Sequence, residues 1–379
     1  MSLVYDDDER MLLDAARDFL RAESPVSALR ALRDSADATG FSRELWASMA
    51  GMGWAGLLVP EAHSGLGFAH MGAGIVCEQM GRTLCASPFV SSAVLGVSLL
   101  KRAASEEQQA ALLPRVAAGE HLLALAVDES PRHDPLAIAT RATAADGGFV
   151  LDGEKRFVID GHSADTLIVV ARSAGAAGEA HGISLFRVDA GAPGLSIERH
   201  VMVDSSNAAT IRLHGVRVSQ DALIGTLHGG FAALEHALDV ARCCAAAELL
   251  GVATEVFERT VEYLRQRKQF GRIIGEFQGL QHRAAVLFCE LELARSAVLG
   301  ALRAADGNDG GFAAAASLAK ARATEVATLA ANEAVQMHGG IGMTDDIDIG
   351  LFMKRAAALR TWLGDAYYHT HRYAALAGY

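Results

Sequence analysis

Tyr263-Leu264-Arg265-Gln266-Arg267-Lys268-Gln269-Phe270-Gly271-Arg272, followed by Gly275-Glu276-Phe277-Gln278-Gly279-Leu280-Gln281-His282, is the stretch on which the reading of this chain turns. It closes one long helical period and opens the next. Cations clustered at a helix end, a turn glycine and then glutamines able to donate to carbonyls would suit a phosphate or pyrophosphate. The same residues would equally make a charged interhelical loop. A second stretch, Gln336-Met337-His338-Gly339-Gly340-Ile341-Gly342-Met343-Thr344-Asp345-Asp346, lays glycines at a helix junction, where backbone N–H groups can face an anion or a ring system. Taken alone, such a turn is more often only a turn.

Working outward, apolar positions recur at helical spacing over 231–266, 278–305, 312–337 and 348–377, which predicts a bundle of four long helices. Before it, short β-branched or aromatic runs at 122–127, 149–151, 157–159, 166–171, 183–188 and 211–213 predict strands. Asp152-Gly153, between two of those runs, predicts a tight hairpin turn. The first 120 residues are helical in pattern, over 9–20, 45–52, 73–80 and 103–113, interrupted by the Gly- and Pro-bearing loop Gly53-Trp54-Ala55-Gly56-Leu57-Leu58-Val59-Pro60. The expected fold class is therefore α+β, with an N-terminal α-helical domain at 1–120, a middle β domain at 121–226 and a C-terminal four-helix bundle at 227–379.

The chain has 379 residues, enough for about two or three domains, with 51% hydrophobic and 21% charged residues, the balance of a folded protein. A net charge of −11 leaves no basic footprint for phosphate backbones, so nucleic acid is not an expected partner. Cys77, Cys85, Cys243, Cys244 and Cys289 form no metal-ligand spacing and read as reduced, buried residues of a cytoplasmic protein, with no metal implied. The acidic start and the lack of a long apolar run argue against a signal peptide or membrane span.

The two opening stretches, in this order, resemble those of the acyl-CoA dehydrogenases. The resemblance extends to Leu45-Trp46 with Gly53 to Glu61, to Glu78-Gln79-Met80-Gly81-Arg82, and to His214-Gly215-Val216-Arg217-Val218 with Leu223-Ile224-Gly225, so it covers essentially the whole chain. It implies a helical N-terminal domain, a middle β-barrel domain and a C-terminal bundle, with FAD extended between subunits of a homotetramer or homodimer. It also implies that Arg267 and Phe270 contact the FAD of a neighbouring subunit, that Gln336, Gly339 and Gly340 hold its adenosine and pyrophosphate end, and that Phe157 stacks by the isoalloxazine. The implied reaction is α,β-dehydrogenation of an acyl-CoA thioester: a carboxylate removes the α proton, the β hydride goes to flavin N5, and electrons pass to an electron-transfer flavoprotein.

The sequence also departs from that pattern. The family's Thr-Glu pair and Gly-Ser-Asp turn are replaced by Asp128-Glu129-Ser130-Pro131-Arg132-His133-Asp134, and its Trp-x-Thr-Asn-Gly strand by Phe157-Val158-Ile159-Asp160-Gly161. Leu363 stands where the family's usual catalytic glutamate lies, and Ala241, just before the substrate-side arginine Arg242, stands where some members carry it instead. Glu248, on the same helix face as Ala241 and among small apolar neighbours, is the preferred base, because partial desolvation raises a carboxylate toward useful basicity. An ion pair with an arginine is the competing reading of Glu248. Asp365 is the second candidate, with helix capping its competing reading. The Leu-Gly-Asp ending resembles a bacterial branch that often works as paired subunits, so a chain that completes the FAD site of a heteromeric enzyme is one alternative. A flavin oxidase or monooxygenase on the same fold is another.

Overall fold

The computed structural model describes residues 4–307 and 310–379. In chain order the helices α1 (Asp7–Glu23), α2 (Val26–Asp34), α3 (Arg43–Gly51), α4 (His70–Thr83), α5 (Val97–Ala103) and α6 (Glu106–Ala117) precede the strands. These are β1 (Leu123–Ala126), β2 (Arg141–Ala145), β3 (Gly148–Ile159), β4 (Thr166–Arg172), β5 (Ile183–Asp189), β6 (Leu195–Val201), β7 (Asn207–Ser219) and β8 (Leu223–Ile224). Then come α7 (Phe231–Gln266), the short strands β9 (Lys268–Gln269) and β10 (Arg272–Ile273), α8 (Gln278–Gly307), α9 (Phe312–His338), α10 (Ile349–Thr361) and α11 (Ala366–Leu376). Helical N- and C-terminal regions thus flank a sheet region, as the periodicity predicts.

The chain packs as two compact units. One comprises the residues up to Asp34, His70–Cys85 and Arg242–Tyr379; the other comprises Ser35–Ala69 and Ala86–Ala241. In the first, α1 starts on a capping box, with the Asp6 carboxylate accepting from Glu9 N and the Glu9 carboxylate from Asp6 N. Helix α4 is buried along its length from Met71 to Gly81, the mark of a helix surrounded by others. It crosses α7 at a reciprocal glycine contact. A Cβ on Gly81 would come within 2.2 Å of Glu248 O, and one on Gly251 within 1.9 Å of Glu78 O. Only glycine lets the two backbones approach so closely.

The second unit carries the sheet, ordered β6-β7-β3-β2-β4-β5-β8, with β1 also beside β4. Neighbours are antiparallel except for β1 with β4 and β2 with β4. One face buries Leu151, Val158, Leu167, Val169, Ile211 and Leu213, with the Phe149 and Phe186 rings 5.0 Å apart.

Three expectations need correction. Asp152-Gly153 is no hairpin turn: β3 runs straight through it, with a register shift against β7 between Leu151 and Gly153, and Gly153 serves a bulge at φ 154°. The hairpin lies instead at Asp146-Gly147, between Ala145 and its partner Gly148, with Gly147 at φ 76°. The last long helix is two, α10 and α11, broken where Leu363 and Gly364 take φ of 60° and 102°. Cys289 is exposed, while the other cysteines are buried.

Candidate functional site

The α7–α8 connection is a small built structure. Arg267 N donates to Tyr263 O at 2.9 Å and its carbonyl accepts from Ile274 N at 2.8 Å, closing the β9–β10 hairpin whose tip, Phe270 and Gly271, is left-handed at φ 54° and 78°. Phe270 is thereby held out into solvent, 91% exposed. A large apolar ring kept in a costly backbone conformation and left uncovered is the signature of a contact surface.

The second glycine-rich stretch meets the first. His338, at the end of α9, stacks on Tyr263 with ring centres 4.3 Å apart, and Tyr263 Oη donates to His338 O at 3.3 Å. Met337 packs with Leu264 and Ile274. Gln336, Gly339 and Gly340 are therefore brought beside the connection that carries Arg267 and Phe270. A Cβ at Gly339 or Gly340 would meet nothing within 4 Å, so the backbone there faces open space.

In the other unit, Phe157 sits on β3 where the register against β7 shifts between Lys155 and Val158; its φ is 51° and it is 44% exposed. The segment before β2 is tied to this bulge. Fully buried Lys155 donates to Val127 O at 3.0 Å and to the Glu129 carboxylate at 2.6 Å, while Arg156 N donates to Asp128 O at 2.7 Å. Glu129 also accepts from the N–H groups of Ala139 and Thr140. Burial pushes the Lys155 ammonium down to about 8 against the opposing pull of Glu129, and the same lysine holds the Glu129 carboxyl below its usual range despite burial.

The Leu363 turn is gripped from beneath by three helices. Lys320 of α9, wholly buried, donates to Leu359 O at 2.9 Å and Gly364 O at 3.1 Å; His369 of α11 pairs with Leu363 O at 3.0 Å; Arg242 of α7 donates to Leu363 O at 3.4 Å and to Tyr368 Oη at 3.2 Å. Burial, reinforced by the Arg242 charge, pushes Lys320 down to about 7. Burial and the same two cations push His369 down to about 2, so its imidazole stays neutral and its Nε2–H is the donor to Leu363 O. Arg242 thus reaches the site through the turn.

The two carboxylates put forward as base each have another engagement. Glu248 is 3% exposed and accepts from Arg355 of α10 at 2.9 Å, both side chains being buried. Asp365 is the N-cap of α11, its carboxylate accepting from Tyr368 N at 2.8 Å. Lys155, Lys320 and the Asp128–His133 pair escaped the sequence reading. A lysine among the small uncharged residues Ser317, Ala321 and Thr324 of an otherwise Ala-rich helix was the one available signal.

Family models for the N-terminal, middle and C-terminal domains of acyl-CoA dehydrogenase match residues 6–120, 126–216 and 228–375. An acyl-CoA dehydrogenase of Bacillus subtilis (strain 168) is 31% identical over 363 residues, covering 93% of this chain and 93% of the relative. The chain belongs to the acyl-CoA dehydrogenase family. It is accordingly an FAD-dependent oxidoreductase of the three-domain acyl-CoA dehydrogenase architecture. Among solved structures, a variant of the Tcur3481-Tcur3483 steroid ACAD is 30% identical with a TM-score of 0.88, covering 98% of each chain. The ChsE4-ChsE5 complex from Mycobacterium tuberculosis is 24% identical with a TM-score of 0.90 over 100% of both chains, which speaks to the fold alone.

The acyl-CoA dehydrogenase residues present fit FAD. Phe270 and Phe157 offer exposed rings for stacking, and the Gly339-Gly340 backbone is uncovered. No helix among the described residues is long and apolar enough to cross a membrane.

Proposed function

We propose that this chain is the flavin-bearing subunit of an acyl-CoA dehydrogenase that desaturates an acyl-CoA thioester at its α and β carbons, with the proton-abstracting carboxylate supplied by a second, homologous chain. One observation carries the reading: the turn where the base is expected presents Leu363, buried and left-handed, while Asp365 beside it is spent on capping α11 and Glu248 on Arg355. Arg267 and Phe270 would contact the FAD of a neighbouring subunit, Gln336, Gly339 and Gly340 would hold its adenosine and pyrophosphate end, and Phe157 would stack by an isoalloxazine. FAD, when bound, would supply the hydride-accepting chemistry, with the electrons destined in this proposal for an electron-transfer flavoprotein. The residues of this chain bind, orient and exclude water; Arg242, Lys320 and His369 keep the Leu363 turn rigid.

A second reading keeps the chain self-sufficient in a homo-oligomer, with Glu248 as base, favoured by the burial of its carboxylate. One experiment separates them. The FAD-loaded chain, alone and without oxygen, is mixed with straight, branched, dicarboxylic and steroid acyl-CoAs. The proposal expects the flavin band to persist, and to bleach once Leu363→Glu restores a carboxylate to the turn. Bleaching by the unaltered chain sinks it, and its abolition by Glu248→Gln then places the base at Glu248.

A further inference from the structure

We infer that Asp128 and His133 form a hydrogen-bonded pair that sets how readily the flavin at Phe157 is reduced. The inference rests on the FAD reading and deepens it. His133 Nδ1 lies 3.0 Å from both carboxylate oxygens of Asp128, and the two side chains are only 3% and 17% exposed. The pair cannot drift from the Phe157 bulge, because Asp128 O accepts from Arg156 N at 2.7 Å and the flanking Val127 and Glu129 are gripped by Lys155. Phe157 itself is the next residue along β3, outward-facing and left-handed.

Two other cations at this place are each paired. Lys155 is paired with Glu129, and exposed Arg156 is paired with Glu154. Asp128 and His133 form a further pair, one imidazole nitrogen lying within hydrogen-bond distance of both oxygens of the carboxylate. Two-electron reduction adds negative charge to an isoalloxazine. A carboxylate shielded from water nearby opposes that charge, and an imidazole donating to the carboxylate withdraws part of the opposition. Asp128 therefore favours oxidised FAD, and His133 moderates it. Neither effect requires the pair to touch the thioester, so both are positioning and tuning roles.

The test is the two-electron midpoint potential of the FAD-loaded chain, with FAD affinity measured alongside by titrating the apoprotein. Asp128→Asn should raise the ratio of reduced to oxidised FAD affinity about tenfold, a rise of about 30 mV for a two-electron couple. His133→Gln should move the potential the opposite way, about threefold in the same ratio, and the double variant should fall with Asp128→Asn. A purely structural clamp predicts the same sign for both variants, and that outcome, or no shift in either, overturns the inference. Should Asp128→Asn fail to fold, the sign of His133→Gln decides alone, a lowered potential supporting the pair and an unchanged or raised one overturning it. A wild-type chain that takes up no FAD overturns the flavin reading and this inference with it.

Discussion

Lys155 and Lys320 both lie wholly inside the protein and both grip backbone carbonyls, yet they are accommodated by different means. Lys155 has a carboxylate, Glu129, which itself accepts from two backbone N–H groups, so every charge in that cluster is answered. Lys320 faces the carbonyls of Leu359 and Gly364 and the Thr324 hydroxyl, with the Arg242 charge raising the cost of its ammonium and that of Asp365 easing it. Removing one member of a matched pair strands the other, whereas removing an unmatched cation also relieves a burial cost. The segment before β2 is thus held by a direct carboxylate partner, and the Leu363 turn by hydrogen bonds from Lys320 to backbone carbonyls.

The largest expected effect follows from that difference. Lys155→Met should cost about 3–5 kcal/mol by leaving Glu129 buried without its cation, read as a drop in the urea midpoint, and Lys155→Met with Glu129→Gln should recover much of it. Equal loss in the single and double variants would break the comparison. Lys320→Met should cost less, about 1–3 kcal/mol for the carbonyls it strands.

Lys320 also carries a pH signature. Its folded value of about 7 lies below the ordinary 10.5, so between these the unfolded chain binds more protons, and this group makes stability rise as pH climbs from about 7 toward 10.5. Lys320→Met should flatten that rise in melting temperature. His369 acts in the acid range. Depressed from 6.5 to about 2, it refuses a proton that the unfolded chain accepts, so its contribution is complete above about 6.5 and is lost as pH falls toward 2. His369→Gln should make the acid limb shallower; an unchanged limb would show that other groups govern it. The smallest effect is Asp365→Ala, about 1 kcal/mol from a lost helix cap, with no change in how tightly FAD binds.

How far the sequence reached depends on the range of the interactions involved. The order of helical and sheet regions was legible because burial imposes a period, and the two stretches that meet at Tyr263 and His338 because their glycines and cations are contiguous. The break at Leu363 was not, since the apolar period of α10 resumes in α11 with Leu363 itself buried. Asp152-Gly153 was misread because a glycine at positive φ serves a bulge as readily as a turn, and its neighbour Asp146-Gly147 carried the same signal. Glu248 was found, but its partner Arg355 lies 107 residues away, and no local pattern announces such a pairing.

The crossing of α4 and α7 has a bearing on how this protein can change. With Gly81 set against Glu248 O and Gly251 against Glu78 O, neither position has room for a methyl group without moving a backbone. A saturation library at either site should return glycine almost alone among folded clones. Variation that reshapes this protein is therefore channelled elsewhere, to its loops and rims, around a seam that does not drift.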